Sequence, residues 1–296
     1  MEGSWQMRQA RMGYPNGGGA NGLIWLDLAI IQRALIGCLL AGVINGLVGV
    51  FVVKMKLTSI GYCMSHAAFA GAALGIILSA DPLITALLFS AMVASIIGPV
   101  SDKAKLHADA IISIAFSLNM ALAFIFLNLI PGIRLSSEVT SILWGSVISV
   151  SYNNIVYLSS LCFMTAAVIY LLWKEFLAIM FNRKLAEADG INTRPFVYFI
   201  ILLAGIVVTL SLKLVGGLLV FALLFNPAAT SLQFLYDMKK IIVFSPILGA
   251  ITCVSGLLLS LILDWPVGSC IVIVSTLMFA LAVLFSPKRR RGGEEK

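Results

Sequence analysis

The sequence is a series of long stretches without charged side chains, separated by short polar interruptions. Residues 34–53, 57–80, 82–101, 110–133, 195–212, 214–236, 241–263 and 265–287 contain no Asp, Glu, Lys or Arg. Each approaches the roughly 20 apolar residues that cross the hydrocarbon core as a helix. The interval 139–173 is too long for one straight span and divides into a short segment at 139–150 and a full span near 153–173. The pattern predicts an all-α polytopic membrane protein with about nine transmembrane helices, plus a short outer or re-entrant helix. Helices are required because lipid offers no hydrogen-bond partner to an open strand, and no alternating barrel pattern is present.

The polar interruptions organise the rest. Residues 1–28 are polar and Gly-rich and predict a flexible or surface-lying arm, 29–287 a transmembrane domain, and 288–296 a basic then acidic tail. Asn182 through Gly190 reads as one short amphipathic helix. Asn182 suits its N-cap, Gly190 its C-terminal stop, and Pro195 follows shortly after. Such a helix between spans suits contact with a soluble partner or with the membrane surface. Within the spans, Gly71 and Gly75 form a GxxxG pair extended by Ala67, which predicts close helix packing within the chain.

Composition excludes a soluble enzyme. Hydrophobic residues make up 60%, charged residues 11%, and the mean hydropathy is +1.05, whereas soluble chains carry about 25% charged residues. The formal net charge of +7 does not indicate nucleic-acid binding, because the basic residues sit beside apolar runs with no basic stripe interleaved by aromatics. They set orientation instead. Alternating loops divide the 20 Lys and Arg fifteen to five. The positive-inside rule then predicts an external N-terminus and a cytoplasmic C-terminus. The five cysteines (Cys38, Cys63, Cys162, Cys253 and Cys270) lie inside apolar runs without metal-ligand spacing, as packing residues do.

Candidate chemistry is sparse. There is no HExxH, GxSxG or GxxxxGK[ST] pattern, so the chain is expected to hydrolyse no ATP itself and to bind no cofactor. His66 is the imidazole inside a predicted span, where polar groups are costly and functional by default; neighbouring Ser65 could orient it. His107 falls in a loop and reads as a solvated helix start. Asp264, in a tight outer turn, could draw in a cation or cap the helix beginning near Pro266. Asn226-Pro227 predicts a break in the run 214–236, of the kind that marks a path in transporters.

Several separated segments agree with one family. The chain resembles the integral-membrane permease of bacterial ABC transporters that import zinc, manganese or iron. The resemblance is carried by Ser65-His66-Ala67-Ala68-Phe69-Ala70-Gly71, by Leu143-Trp144-Gly145 in a short element through Val150, and by Ala186 through Gly190 as an "AxxxG" stretch. It continues through Lys213 to Val220, Asn226-Pro227-Ala228-Ala229-Thr230, and Asp264-Trp265-Pro266-Val267-Gly268. The ordered set covers most of residues 30–287. It implies a permease homodimer in the bacterial cytoplasmic membrane, two cytoplasmic ATPase subunits carrying ATP and Mg, and an extracellular or periplasmic metal-binding protein. The transported divalent metal is the substrate.

By resemblance, His66 lies on the metal path; Asp264 is the second metal candidate from its charge, and Tyr62, Ser65, Asn226 and Pro227 are the candidate lining residues. Leu185, Ala186, Glu187, Ala188, Asp189 and Gly190 form the helix coupled to the ATPase. One position departs from the family: Tyr62 stands where an Asp commonly precedes this histidine by four residues. A phenol with an imidazole is a weaker site for a hard or borderline cation than a carboxylate with an imidazole. A chelated metal or another small ligand therefore stays open. A secondary transporter or channel is the other alternative, although no carboxylate is found deep in any span.

Overall fold

The computed structural model describes residues 20–130, 151–216 and 220–286. The described residues form eleven helices: α1 (Ala20–Lys54), α2 (Ile60–Ile77), α3 (Pro82–Ala104), α4 (Ala108–Leu129), α5 (Tyr152–Leu171), α6 (Trp173–Phe181), α7 (Arg183–Ala188), α8 (Thr193–Val215), α9 (Val220–Phe234), α10 (Met238–Leu263) and α11 (Val267–Leu284). Eight are long and apolar enough to cross a membrane, and α9, at 15 residues, is a ninth apolar helix of shorter length. The all-α polytopic architecture is therefore present. In α1 the candidate span is Ile30–Lys54, and the end of the expected arm, from Ala20, belongs to this same helix. The expected short segment at 139–150 and the tail at 288–296 lie outside the described residues.

One expectation is corrected. Asn226-Pro227 does not break its helix: α9 runs without interruption from Val220 through Pro227 to Phe234. Proline removes one N–H from the helix ladder and crowds the preceding turn, but Pro227 is buried, and packing by neighbouring helices compensates such a loss in a membrane. The interruption falls earlier. Helix α8 continues through Lys213 to Val215, and Gly216 then takes φ +93°, a conformation that glycine adopts without steric cost.

Backbone proximity holds the bundle together. Helices α1 and α10 form the most extensive pair. A Cβ added at Gly42 would lie 2.3 Å from the carbonyl oxygen of Gly249, and one added at Gly249 would lie 2.1 Å from that of Gly42. In lipid, where hydrophobic burial does not drive helices together, such close packing supplies the attraction. The Gly71–Gly75 face of α2 does the same against α3, meeting Ala86, Thr85 and Pro82, as the GxxxG spacing predicts. Buried polar side chains cross-link the spans. Asn45 Nδ2 donates to Ser211 Oγ at 2.7 Å between α1 and α8, Thr209 donates to Ser90 Oγ at 2.9 Å between α8 and α3, and Ser245 donates to the Gly46 carbonyl at 2.6 Å. Each such bond contributes about 0.6 kcal/mol in a bilayer.

Helix α2 sits at the centre of this arrangement, packed against α3, α4, α8 and α9. Helices α4 and α5 lie at the periphery and present large apolar side chains outward, among them Phe124 and Phe163. The contrast positions the candidate site. The helix carrying His66 is enclosed by protein on most sides and opens along one stripe.

Candidate functional site

That stripe contains Tyr62 and His66, one helical turn apart on α2 and therefore on one face. Tyr62 is 42% exposed and His66 is half-buried, whereas Cys63, Met64 and Ser65 between them are buried. Aromatic rings from two other helices flank the pair. His66 meets Phe116 of α4 edge-on with centroids 5.0 Å apart, and Tyr62 lies 4.0 Å from Phe221 of α9. The result is an imidazole and a phenol held between rings on an open face. Ser65 does not orient the imidazole: its hydroxyl is buried and has no hydrogen-bond partner among the described residues.

The other candidate path residues are placed apart from this pair. Asn226 donates to Ser275 Oγ at 2.8 Å and to Thr276 Oγ1 at 3.4 Å, so its amide clamps α9 to α11, with Pro227 buried beside it. Asp264 is exposed in the turn between α10 and α11 and closes α10 in the left-handed conformation, with φ 55°. It does not cap α11, which starts after Pro266 without a side-chain cap. Among the described residues, no group of three or more His, Cys, Asp and Glu comes together to hold a metal.

A polar track missed by the sequence reading leads along the same face. On α4, Asp109, Ser113 and Ser117 recur every four residues. The Asp109 carboxylate accepts the Ser59 amide at 2.9 Å and the Thr58 hydroxyl at 3.4 Å, and Ser113 donates to Ser59 Oγ at 3.1 Å. Ser113 and Ser117 are exposed. At 1.5 Å rise per residue, the groove between α2 and α4 thus carries polar groups for about 12 Å from the helix starts toward Tyr62 and His66. The Ser113 and Ser117 hydroxyls also donate to the Asp109 and Ser113 carbonyls of their own helix, at 2.9 and 3.3 Å. The four-residue spacing was visible in the sequence, but only the α2–α4 pairing gives it meaning.

At the lysine-rich end of the bundle, the stretch 182–190 folds as its capping residues predict. Asn182 Oδ1 accepts the Lys184 and Leu185 amides at 3.0 and 3.3 Å, and Gly190 ends the turn at φ +85°. Ala186 is buried, while Leu185, Glu187, Ala188, Asp189 and Gly190 are exposed, so the helix offers an outward surface. One of these exposed residues, Glu187, is tied to the start of α8. Arg183 Nε donates to Glu187 Oε1 at 3.2 Å and to Thr193 Oγ1 at 2.9 Å, and the Thr193 hydroxyl donates to Glu187. The Thr193 hydroxyl first, and Arg183 second, hold the Glu187 carboxyl below its ordinary pKa. One residue on, Arg194 pairs with Asp102 of α3 at 3.4 Å, and Tyr198 donates to the same carboxylate. A continuous set of contacts therefore runs from α7 through the start of α8 to the end of α3, the helix on which α2 packs.

Comparison with known proteins places this geometry in context. The family model described as "ABC 3 transport family" matches residues 27–286. The chain is 32% identical over 264 residues to the manganese transport system membrane protein MntC of Listeria monocytogenes, covering 89% of this chain and 93% of that protein. It is 26% identical to the high-affinity zinc uptake system membrane protein ZnuB of Haemophilus influenzae, covering 88% and 98%. Among solved structures, PsaBC from Streptococcus pneumoniae in complex with Fab aligns with a TM-score of 0.78 at 27% identity, over 90% of this chain and 95% of that one.

Proposed function

Because this chain belongs to the ABC 3 transport family, we propose that it is the membrane-spanning permease subunit of an importer for a divalent transition metal, with manganese first and zinc second by the names of its relatives. A separate ATPase supplies the energy, and an external metal-binding protein delivers the substrate. The observation that carries this reading is the open face of α2 and α4, where Tyr62 and His66 continue into the Asp109, Ser113 and Ser117 track. A bilayer does not favour such a face, and a second copy of the chain placed over it would enclose a path between the two permeases.

In this reading the lysine-rich end is cytoplasmic and the N-terminus external, following the excess of Lys and Arg on that side. His66 gives the metal a transient nitrogen ligand. Asp264 stands at the outer entrance as a negative charge without direct ligation at His66, and Asn226 and Pro227 shape the wall by fixing α9. The exposed surface of Leu185 to Gly190 receives the ATPase, and the contacts from Glu187 through Thr193 and Arg194 to Asp102 carry its motion to α3 and α2. A second reading, transport of a chelated metal, is favoured by one observation: a phenol between aromatic rings suits an organic ligand better than a bare hard cation.

Reconstitution with the cognate ATPase in liposomes tests the proposal. ATP-dependent accumulation of manganese or zinc, abolished without ATP, is the expected result. Accumulation of metal without any ATPase would make the chain a carrier or channel, and movement only of a chelate would establish the second reading.

A further inference from the structure

A cavity of about 960 Å³ lies at the lysine-rich end, between the end of α1, the short helix α6 and the start of α10. Three lysines from these separate elements, Lys54, Lys174 and Lys239, line it together with Trp173, Phe181 and Tyr236. No Asp or Glu contributes to its wall. Asp237 caps α10 by accepting the Lys239 amide at 3.0 Å, Glu175 follows Lys174 on α6 without lining the cavity, and none of the three lysines forms an ion pair among the described residues. The cavity adjoins the end of α5, where Tyr170 and Leu171 are 82% and 77% exposed. Its volume is at the upper end of small-molecule sites, which run from about 300 to 1,000 Å³.

We infer that this cavity binds the headgroup of an anionic phospholipid of the adjoining leaflet. The Lys54, Lys174 and Lys239 ammonium groups, without an ion pair among the described residues, suit a phosphate, and Trp173 and Tyr236 in the same lining are the amphipathic aromatics that favour the headgroup level. Phe181 and the exposed end of α5 extend the acyl chains' apolar surface. Basic pockets between spans on the cytoplasmic side are a recurring means of holding acidic lipids. The site is separate from the metal path but rests on the orientation proposed above, which puts the cavity at the cytoplasmic leaflet. A lipid seated here would bridge α1, α6 and α10, and so brace the base of the coupling region.

Native mass spectrometry of the purified complex tests the inference, with dioleoylphosphatidylglycerol or dioleoylphosphatidylcholine added at equal concentration. Phosphatidylglycerol is expected to be retained selectively. Lys54→Gln, Lys174→Gln and Lys239→Gln should each weaken retention about fivefold, and roughly a hundredfold together, while Lys→Arg at the same three positions retains it. Because the wild-type comparison needs no variant, a misfolded triple mutant leaves the test intact. Equal retention of both lipids overturns the site. Displacement by inorganic phosphate at low millimolar concentration would instead assign it to a soluble phosphate. Unchanged lipid retention with loss of the ATPase in the triple variant would assign the lysines to the partner. Orientation is read separately, by labelling Lys239→Cys from each side with an impermeant maleimide. External labelling would overturn the leaflet assignment and the orientation while leaving headgroup binding in detergent unaffected.

Discussion

At the scale of single residues, Tyr62 and His66 hold the proposed substrate contact. Carboxylate oxygen suits manganese, whereas imidazole serves several transition metals. Tyr62→Asp adds a carboxylate one turn from His66 on the same exposed stripe, so it should raise manganese transport over zinc, measured by competition between the two metals in the reconstituted system. A fall in both would mean that the phenol itself contacts the substrate. Glu187 is governed by different chemistry. Thr193 and Arg183 stabilise its charged form and lower its folded pKa. The associated stability is present above the ordinary carboxylate value of about 4.3 and is lost only as pH falls through the lower folded value. ATPase retention by the wild type should therefore be flat from about pH 5.5 to 8, the range set by that ordinary value. Glu187→Gln should weaken retention equally across this range. A wild-type loss centred between pH 6 and 7 would place the sensitive group elsewhere.

At the scale of elements, capping chemistry and close packing are the features most directly encoded. Asn182 and Gly190 bound α7 as their residue types require. Gly190 at φ +85° cannot be replaced by proline, which fixes φ near −65°. Gly190→Pro should thus abolish ATP-driven transport while the protein still inserts and remains monodisperse in detergent. Unchanged transport would remove the coupling role of α7. Gly42→Val tests packing instead. Its side chain meets the Gly249 backbone, which cannot rotate away, and the expected outcome is a fall in thermal stability of several degrees, read by the loss of the monodisperse peak after heating. Helix boundaries inside apolar sequence were harder to read. The run from 195 to 236 contains only Lys213 as a charge, and the true break at Gly216 depends on backbone conformation. Pro227, the more conspicuous signal, is accommodated because its surroundings are protein.

At the scale of the whole molecule, charge-free runs marked the nine apolar helices among the described residues, eight of them long enough to cross a membrane where about nine crossings were expected. The ordered motifs sufficed for the family. The site was legible in part. His66 stood out as an imidazole in a span, but the Asp109, Ser113 and Ser117 track required knowledge of which helices pair, since serines are ordinary in membrane helices. Asn226 drew notice as part of an expected helix break and Asp264 as a carboxylate in an outer turn, and the fold gives one a clamping contact and the other a turn. The remaining question is whether the open α2–α4 face carries metal. Cellular metal content decides it most directly. The chain and its ATPase are expressed in a strain lacking manganese, zinc and iron importers, with His66→Ala and Gly190→Pro alongside. The expected outcome is accumulation of one metal in the wild type, a loss of tenfold or more in His66→Ala with the ATPase still bound, and no accumulation in Gly190→Pro. Wild-type accumulation that His66→Ala leaves unchanged would contradict the assignment of this face as the path.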